Sequence, residues 1–321
     1  MIVVQESALQ QFLNQHDEQK WARALESLLP AIHPVDQPAT RVWFSFWPLK
    51  LASALRNGEE KQVRKDFQLD GCFRLEEQVA SSVLFLYGSR HWVEMRDEIL
   101  KYAETCLQPE VQTLEKHIEE VASRLSLRLH VPRSVLLGIA AVGFMILQQV
   151  GPVGLAADSD TRSALPDQSL TWNDVLKKRN RESGSGFLQW LTGGDRRYPV
   201  VFDEQNPEST FTALKGQDLS MACSADKRDY RSRDPRRIDG PIPAQCRSGA
   251  CGYCWIGVIA GQDRLSELTD FEERRLRHFG YRWLDAKEDR HPVIRLACQS
   301  KCYGAVSIVI PPWNGVLSGR A

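Results

Sequence analysis

Four cysteines constrain this chain more than anything else in it. Three fall in Cys246-Arg-Ser-Gly-Ala-Cys251-Gly-Tyr-Cys254, spaced C-x4-C-x2-C, and the fourth is Cys298 in Arg295-Leu-Ala-Cys-Gln299. One tight loop delivers three thiols to a common point; a fourth that completes the set must arrive on a different element. Whatever fold forms has to bring residue 298 back to residue 254 across the 43 residues between them. Gly249 and Gly252 suit such a loop, because without a Cβ the backbone can turn its N–H groups inward, close to the centre of the thiol group.

Thiols in this spacing point to metal. C-x4-C-x2-C followed by a distant cysteine is the ligand pattern of a [2Fe-2S] centre, in which two irons and two sulfides take four thiolates. Inward N–H groups then spread the negative charge that grows on reduction. Zinc is the alternative, although its sites more often pair two C-x2-C knuckles, and the distal half here offers only Cys298 and Cys302, with three residues between them. Unrelated free cysteines are the third reading.

The surrounding residues resemble the plant-type [2Fe-2S] ferredoxins. Pro243-Ala-Gln-Cys246 leads into the loop, Leu265-Ser-Glu-Leu-Thr-Asp-Phe-Glu272 is similar to the family's post-loop helix start, and Arg295-Leu-Ala-Cys-Gln299 with Gly304-Ala-Val-Ser-Ile-Val-Ile310 resembles its closing strands. The resemblance runs from about Tyr198 to Pro312. By position it implies that Cys246 and Cys251 hold an outer iron and Cys254 and Cys298 an inner one. It also implies a low potential, ~−400 mV for the plant type. The long spacing to Cys298 and a charged insertion before the loop depart from the family; neither touches a ligand, so both bear on the partner.

The rest of the chain reads as helical. Apolar residues recur every three to four positions in Trp21-Ala-Arg-Ala-Leu-Glu-Ser-Leu-Leu and from Val111 to Leu125. Val42-Trp-Phe-Ser-Phe-Trp-Pro-Leu49 is too apolar for a solvent face, which places Trp43, Phe46 and Trp47 in the core, with Pro48 ending a helix. A helix stop at Gly88 and a cap at Ser89 are expected. The histidines are scattered without ligand spacing and read as satisfied singly. Val135 to Leu147 is the most apolar run, 13 residues against the ~20 a membrane span needs, so it reads as a helix buried by its neighbours. Membrane association is the alternative, Arg124, Arg128 and Arg133 lying on the cytoplasmic side.

Gly151 to Gln168 loses periodicity and reads as a linker, after which Thr171-Trp-Asn-Asp174 opens a helix with a capping box closed by Ser183-Gly-Ser-Gly186. Neither here nor elsewhere is a nucleotide-binding glycine loop completed. The expected organisation is an all-α helical domain over 1–150, linker and short helices over 151–195, and a ferredoxin-like β-grasp domain with its [2Fe-2S] cluster over 196–321.

With 41 basic and 41 acidic residues, nothing in the overall charge suggests nucleic acid. Locally, Lys227 to Arg237 carries six basic residues against two acidic ones, which reads as a solvated loop or as a docking patch for an acidic partner. Met1 to Ser7 lacks the features of a signal peptide, and a reducing, cytoplasmic setting is expected, or the cytoplasmic face of a membrane. Cys72, Cys106, Cys223 and Cys302 are then free thiols. No nucleophile–base or paired-carboxylate motif appears. The expected function is one-electron transfer with protein redox partners, a reductase and an acceptor, the helical domain directing docking or localisation. Two alternatives are an oxidoreductase domain whose helical part holds a substrate or cofactor, and a redox sensor.

Overall fold

The computed structural model describes residues 6–67, 74–157, 170–180, 196–232, 235, 237–278 and 290–311. They divide into two compact units, one of residues 1–53 and 74–169, the other of 54–73 and 170–321. Cys72, most of the expected linker and the expected closure at Ser183 to Gly186 lie outside the described residues.

The first unit is helical: α1 (Ala8–Asn14), α2 (Glu18–Leu28), α3 (Gln37–Phe46), the start of α4 (Leu49–Arg56), α6 (Val79–Val83), α7 (Trp92–Thr105), α8 (Leu114–Leu129) and α9 (Arg133–Ala156). Helix α5 (Glu60–Phe67) groups with the second unit. Helix α9 is the axis, packed by α1, α3, α6, α7 and α8. By length and composition it could cross a membrane, with a mean hydropathy of 1.8 in its most apolar window, yet 78% of that window is buried within the protein. Every residue from Val135 to Gln148 is buried, as a helix apolar on all sides requires. Its polar end is satisfied internally. Trp21 Nε1 donates to Gln148 Oε1 at 2.6 Å, and Gln148 Nε2 donates to the His16 carbonyl at 2.8 Å. At Gly151, φ of 72° breaks the helix and Pro152 restarts it, so helix persists to Ala156 where loss of periodicity suggested linker.

Trp43, Phe46 and Trp47 are all buried, and α3 stops just before Pro48. The boundary expected at Gly88 falls elsewhere: α6 ends at Val83, and Tyr87–His91 form a 3-10 turn. The cause is a buried carboxylate far off in sequence. Asp36 accepts the N–H groups of Tyr87 and Gly88 at 2.6 and 2.7 Å and so anchors the start of that turn. Ser89 caps nothing, its hydroxyl donating to the Leu86 carbonyl at 2.7 Å. His117 is satisfied on both ring nitrogens, by Tyr102 Oη at 2.6 Å and the Pro109 carbonyl at 2.8 Å.

The second unit is built on a mixed five-stranded sheet of β1 (Arg197–Val201), β2 (Thr210–Leu214), β3 (Trp255–Ala260), β4 (Ile294–Leu296) and β5 (Val306–Val309), in the order β2-β1-β5-β3-β4. Strands β1 and β5 are parallel; the other neighbours are antiparallel. Helix α10 (Trp172–Asn180) has the expected capping box, with Thr171 N–H to Asp174 Oδ2 at 3.1 Å and Asp174 N–H to Thr171 Oγ1 at 3.2 Å. It is tied to the β1–β2 turn by Arg179, which grips the Glu204 carboxylate from Nε at 2.8 Å and Nη2 at 2.7 Å. Helices α11 (Leu219–Ser224) and α12 (Asp270–His278) complete the unit.

Candidate metal centre

The β3–β4 ladder brings the distant cysteine home. Trp255 pairs with Leu296, and one step further the Ala297 N–H donates to the Cys254 carbonyl at 2.9 Å. Cys254 and Cys298 therefore leave the sheet side by side, both buried, and each shifts the ionisation of the other.

A buried ion pair sets the position of β4. The Arg295 guanidinium meets the Glu272 carboxylate of α12 through Nε and Nη2, both at 2.9 Å, with side chains 1% and 0% exposed. Glu272 also accepts the Leu296 N–H at 2.8 Å, and Arg295 Nη1 donates to the Ser266 carbonyl at 2.8 Å. Every polar atom of the pair's fork is used, as a buried charge pair requires. Three residues beyond Arg295 comes Cys298.

The loop from Cys246 to Cys254 carries the other three thiols. Its backbone takes positive φ at Arg247 (54°), Gly249 (79°) and Gly252 (68°), which turns successive N–H groups to one side. The N–H groups of Ser248 and Cys251 donate to Cys246 Sγ at 3.4 and 3.3 Å. The Gly249 and Tyr253 amides serve Cys298 and Cys251 in the same way, and Gln299 Nε2 donates to Cys298 Sγ at 3.6 Å. The two glycines behave as their sequence positions suggested. Arg247, left-handed without being glycine, carried no sequence signal.

These donors lower the thiols that they serve, against burial, which raises them. Burial pushes the Cys246 thiol up, but the Ser248 and Cys251 donors outweigh it and bring it down to about 6. Burial and then the contact with Cys246 raise Cys251. Cys254 is raised by its interaction with Cys298 and by burial, while the same interaction lowers Cys298 against burial. Among the described residues no three His, Cys, Asp or Glu side chains converge as a single ion would need. The four thiols fall instead in two pairs, Cys246 with Cys251, whose N–H donates to the Cys246 sulfur at 3.3 Å, and Cys254 with Cys298, brought together by the β3–β4 ladder. An all-thiol set in two pairs, supplied with N–H donors to sulfur, fits a two-iron cluster, one pair per iron.

The remaining described cysteines stay outside this group. Cys302 is buried with its thiol donating to the Gly304 carbonyl at 3.1 Å, and burial pushes it up to about 11. Cys223 is buried under Gly240 and pushed by burial up to about 12; Cys106 lies in the helical unit. The basic stretch 227–237 is not wholly solvated either. Arg228 turns back to the Glu208 and Thr210 carbonyls, both at 2.5 Å, and pairs with Asp226, while Arg233, Asp234 and Arg236 lie outside the described residues.

Residues 217–303, from just before α11 to just after Cys302, match the family model described as 2Fe-2S iron-sulfur cluster binding domain. The N-terminal region lies outside that match. No solved structure gives a significant match to the chain. The C-terminal part of this chain thus contains a ferredoxin-type domain that binds a [2Fe-2S] cluster, beside a helical N-terminal region.

Proposed function

We propose that the chain is a one-electron carrier whose cluster is held by Cys246 and Cys251 on an outer iron and by Cys254 and Cys298 on an inner one. The pairing of the four thiols, by the loop amides on one side and by the β3–β4 ladder on the other, supports this assignment most directly. The sheet order β2-β1-β5-β3-β4, with the thiol loop entering β3, supports a β-grasp fold for the domain. Bound there, a [2Fe-2S] cluster accepts and releases single electrons, and with all four thiolates engaged it offers no open position for bond-making on a substrate.

The chain's own residues set the conditions for that exchange. Buried Cys254 and Cys298 keep water from the inner side, while exposed Cys246 presents the outer side, so electrons enter and leave at the Cys246 edge. The partners we infer are a reductase and an acceptor protein whose acidic surface meets Lys227, Arg231 and Arg247. The helical unit directs docking or localisation, in a cytoplasmic setting.

Serine replacements of single cysteines in the full chain test the ligand assignment. Cys246→Ser, Cys251→Ser, Cys254→Ser and Cys298→Ser should each abolish or strongly alter the reduced cluster's electron paramagnetic resonance signal. Cys302→Ser and Cys223→Ser should leave it unchanged. A Cys298→Ser protein with a wild-type signal would overturn the assignment.

A further inference from the structure

On the outer side of the thiol loop, one side chain holds the backbone by the back. Arg275 reaches from α12 to donate through Nε to the Gly249 carbonyl at 3.2 Å and through Nη2 to the Ala250 carbonyl. Peptide units are planar, and none here is cis, so each carbonyl points opposite to the N–H of the following residue. Fixing the Gly249 and Ala250 carbonyls toward Arg275 therefore fixes the Ala250 and Cys251 N–H groups toward the thiols. The second of these is seen in place, donating to Cys246 Sγ at 3.3 Å.

Two further features hold Arg275 in register. Glu272, one turn earlier on α12, is locked in the buried pair with Arg295, so the helix that carries Arg275 cannot slide along the loop. Phe271 of the same helix lies against Gly249, where an added Cβ would come within 2.6 Å of its ring. One helix thus fixes both halves of the site: Glu272 the strand that leads to Cys298, and Arg275 the loop that carries the other three thiols.

We propose that Arg275 is a positioning residue for redox tuning, which keeps the loop amides aimed at sulfur and places a fixed positive charge behind them. Both effects favour the reduced, more negative cluster. This inference rests on the ligand assignment above. Donation to two successive carbonyls needs the planar, forked guanidinium; an ammonium keeps the charge but not the fork.

The test is redox titration of the full-length holoprotein, wild type against Arg275→Gln, Arg275→Lys and Arg277→Gln. Arg277 is on the same helix and pairs with Glu273 at 2.7 Å, so its replacement removes one charge without touching the loop. Arg275→Gln should lower the reduced-to-oxidised ratio at a fixed potential about tenfold, which is ~59 mV for one electron. Arg275→Lys should recover part of that loss, Arg277→Gln should shift the ratio less than threefold, and only the Arg275 variants should change the resonance line shape. Equal shifts from Arg275→Gln and Arg277→Gln, or no shift from Arg275→Gln in cluster-loaded protein, would overturn the proposal. If Arg275→Gln does not retain its cluster, Arg275→Lys decides, and a wild-type potential and line shape there count against the proposal. Two irons and two sulfides per chain in the wild type, with the serine variants behaving as described, keep the ligand assignment standing whichever way Arg275 turns out.

Discussion

At the scale of single residues, the strongest demand falls on a pair that holds no metal. Arg295 and Glu272 are buried with every fork contact made, and removing one partner strands the other's charge. Glu272→Gln should therefore cost about 3–5 kcal/mol, read as a lowered denaturant midpoint of the cluster unit. Nothing in the sequence marks these two as partners, because they lie on a helix and a strand 23 positions apart and the ladder that joins them is invisible in one dimension. The loop thiols were legible for the opposite reason: three sit in one short loop where spacing is geometry. Register separates the two distal cysteines, Cys298 and Cys302. Pairing of Trp255 with Leu296 sends Cys298 to Cys254, whereas Cys302 is turned to the Gly304 carbonyl.

At the scale of elements, glycines and a loop carboxylate set the limits. Gly240 has φ of 85°, and an added Cβ would lie 2.7 Å from the Cys223 carbonyl carbon, a backbone atom that cannot rotate away. Gly240→Ala should destabilise the cluster unit by about 2–4 kcal/mol, strain and overlap together. Asp226 offers a pH test. Hydrogen bonding from Arg228, opposed by burial, holds its carboxyl at about 2, against ~3.9 in an unfolded chain. A depressed acid stabilises the fold where it is ionised, so its contribution is full above about pH 4 and fades as pH falls toward 2. Urea midpoints between pH 5 and 2 should fall less steeply for Asp226→Asn than for wild type. The element boundaries read from the sequence hold where local chemistry makes them, at the Thr171 capping box and at Pro48. They miss at Gly88, where Asp36, 52 positions away, decides the backbone.

At the scale of the whole molecule, two units with separate cores imply two separable unfolding events. The helical unit depends on α9, whose apolar faces are covered by five other helices, and the second unit depends on its sheet and the thiol loop. Metal bound only by the folded state adds to stability, so stripping the cluster with acid and chelator should lower the melting of the second unit and leave that of the helical unit unchanged. Differential scanning calorimetry of holo- and apoprotein distinguishes this from a single shared transition. That the first unit is helical was readable from periodicity, and its buried axis from the apolar run Val135 to Leu147, too short for a membrane span. What it does for the redox domain was not, because no residue pattern in it carries a chemistry of its own. The account stands on one stoichiometry above all, iron and acid-labile sulfide measured on the full chain purified anaerobically. Two of each per chain, with visible colour that bleaches on reduction, is the expected result. Zinc in place of iron, or a colourless protein without sulfide, would contradict it.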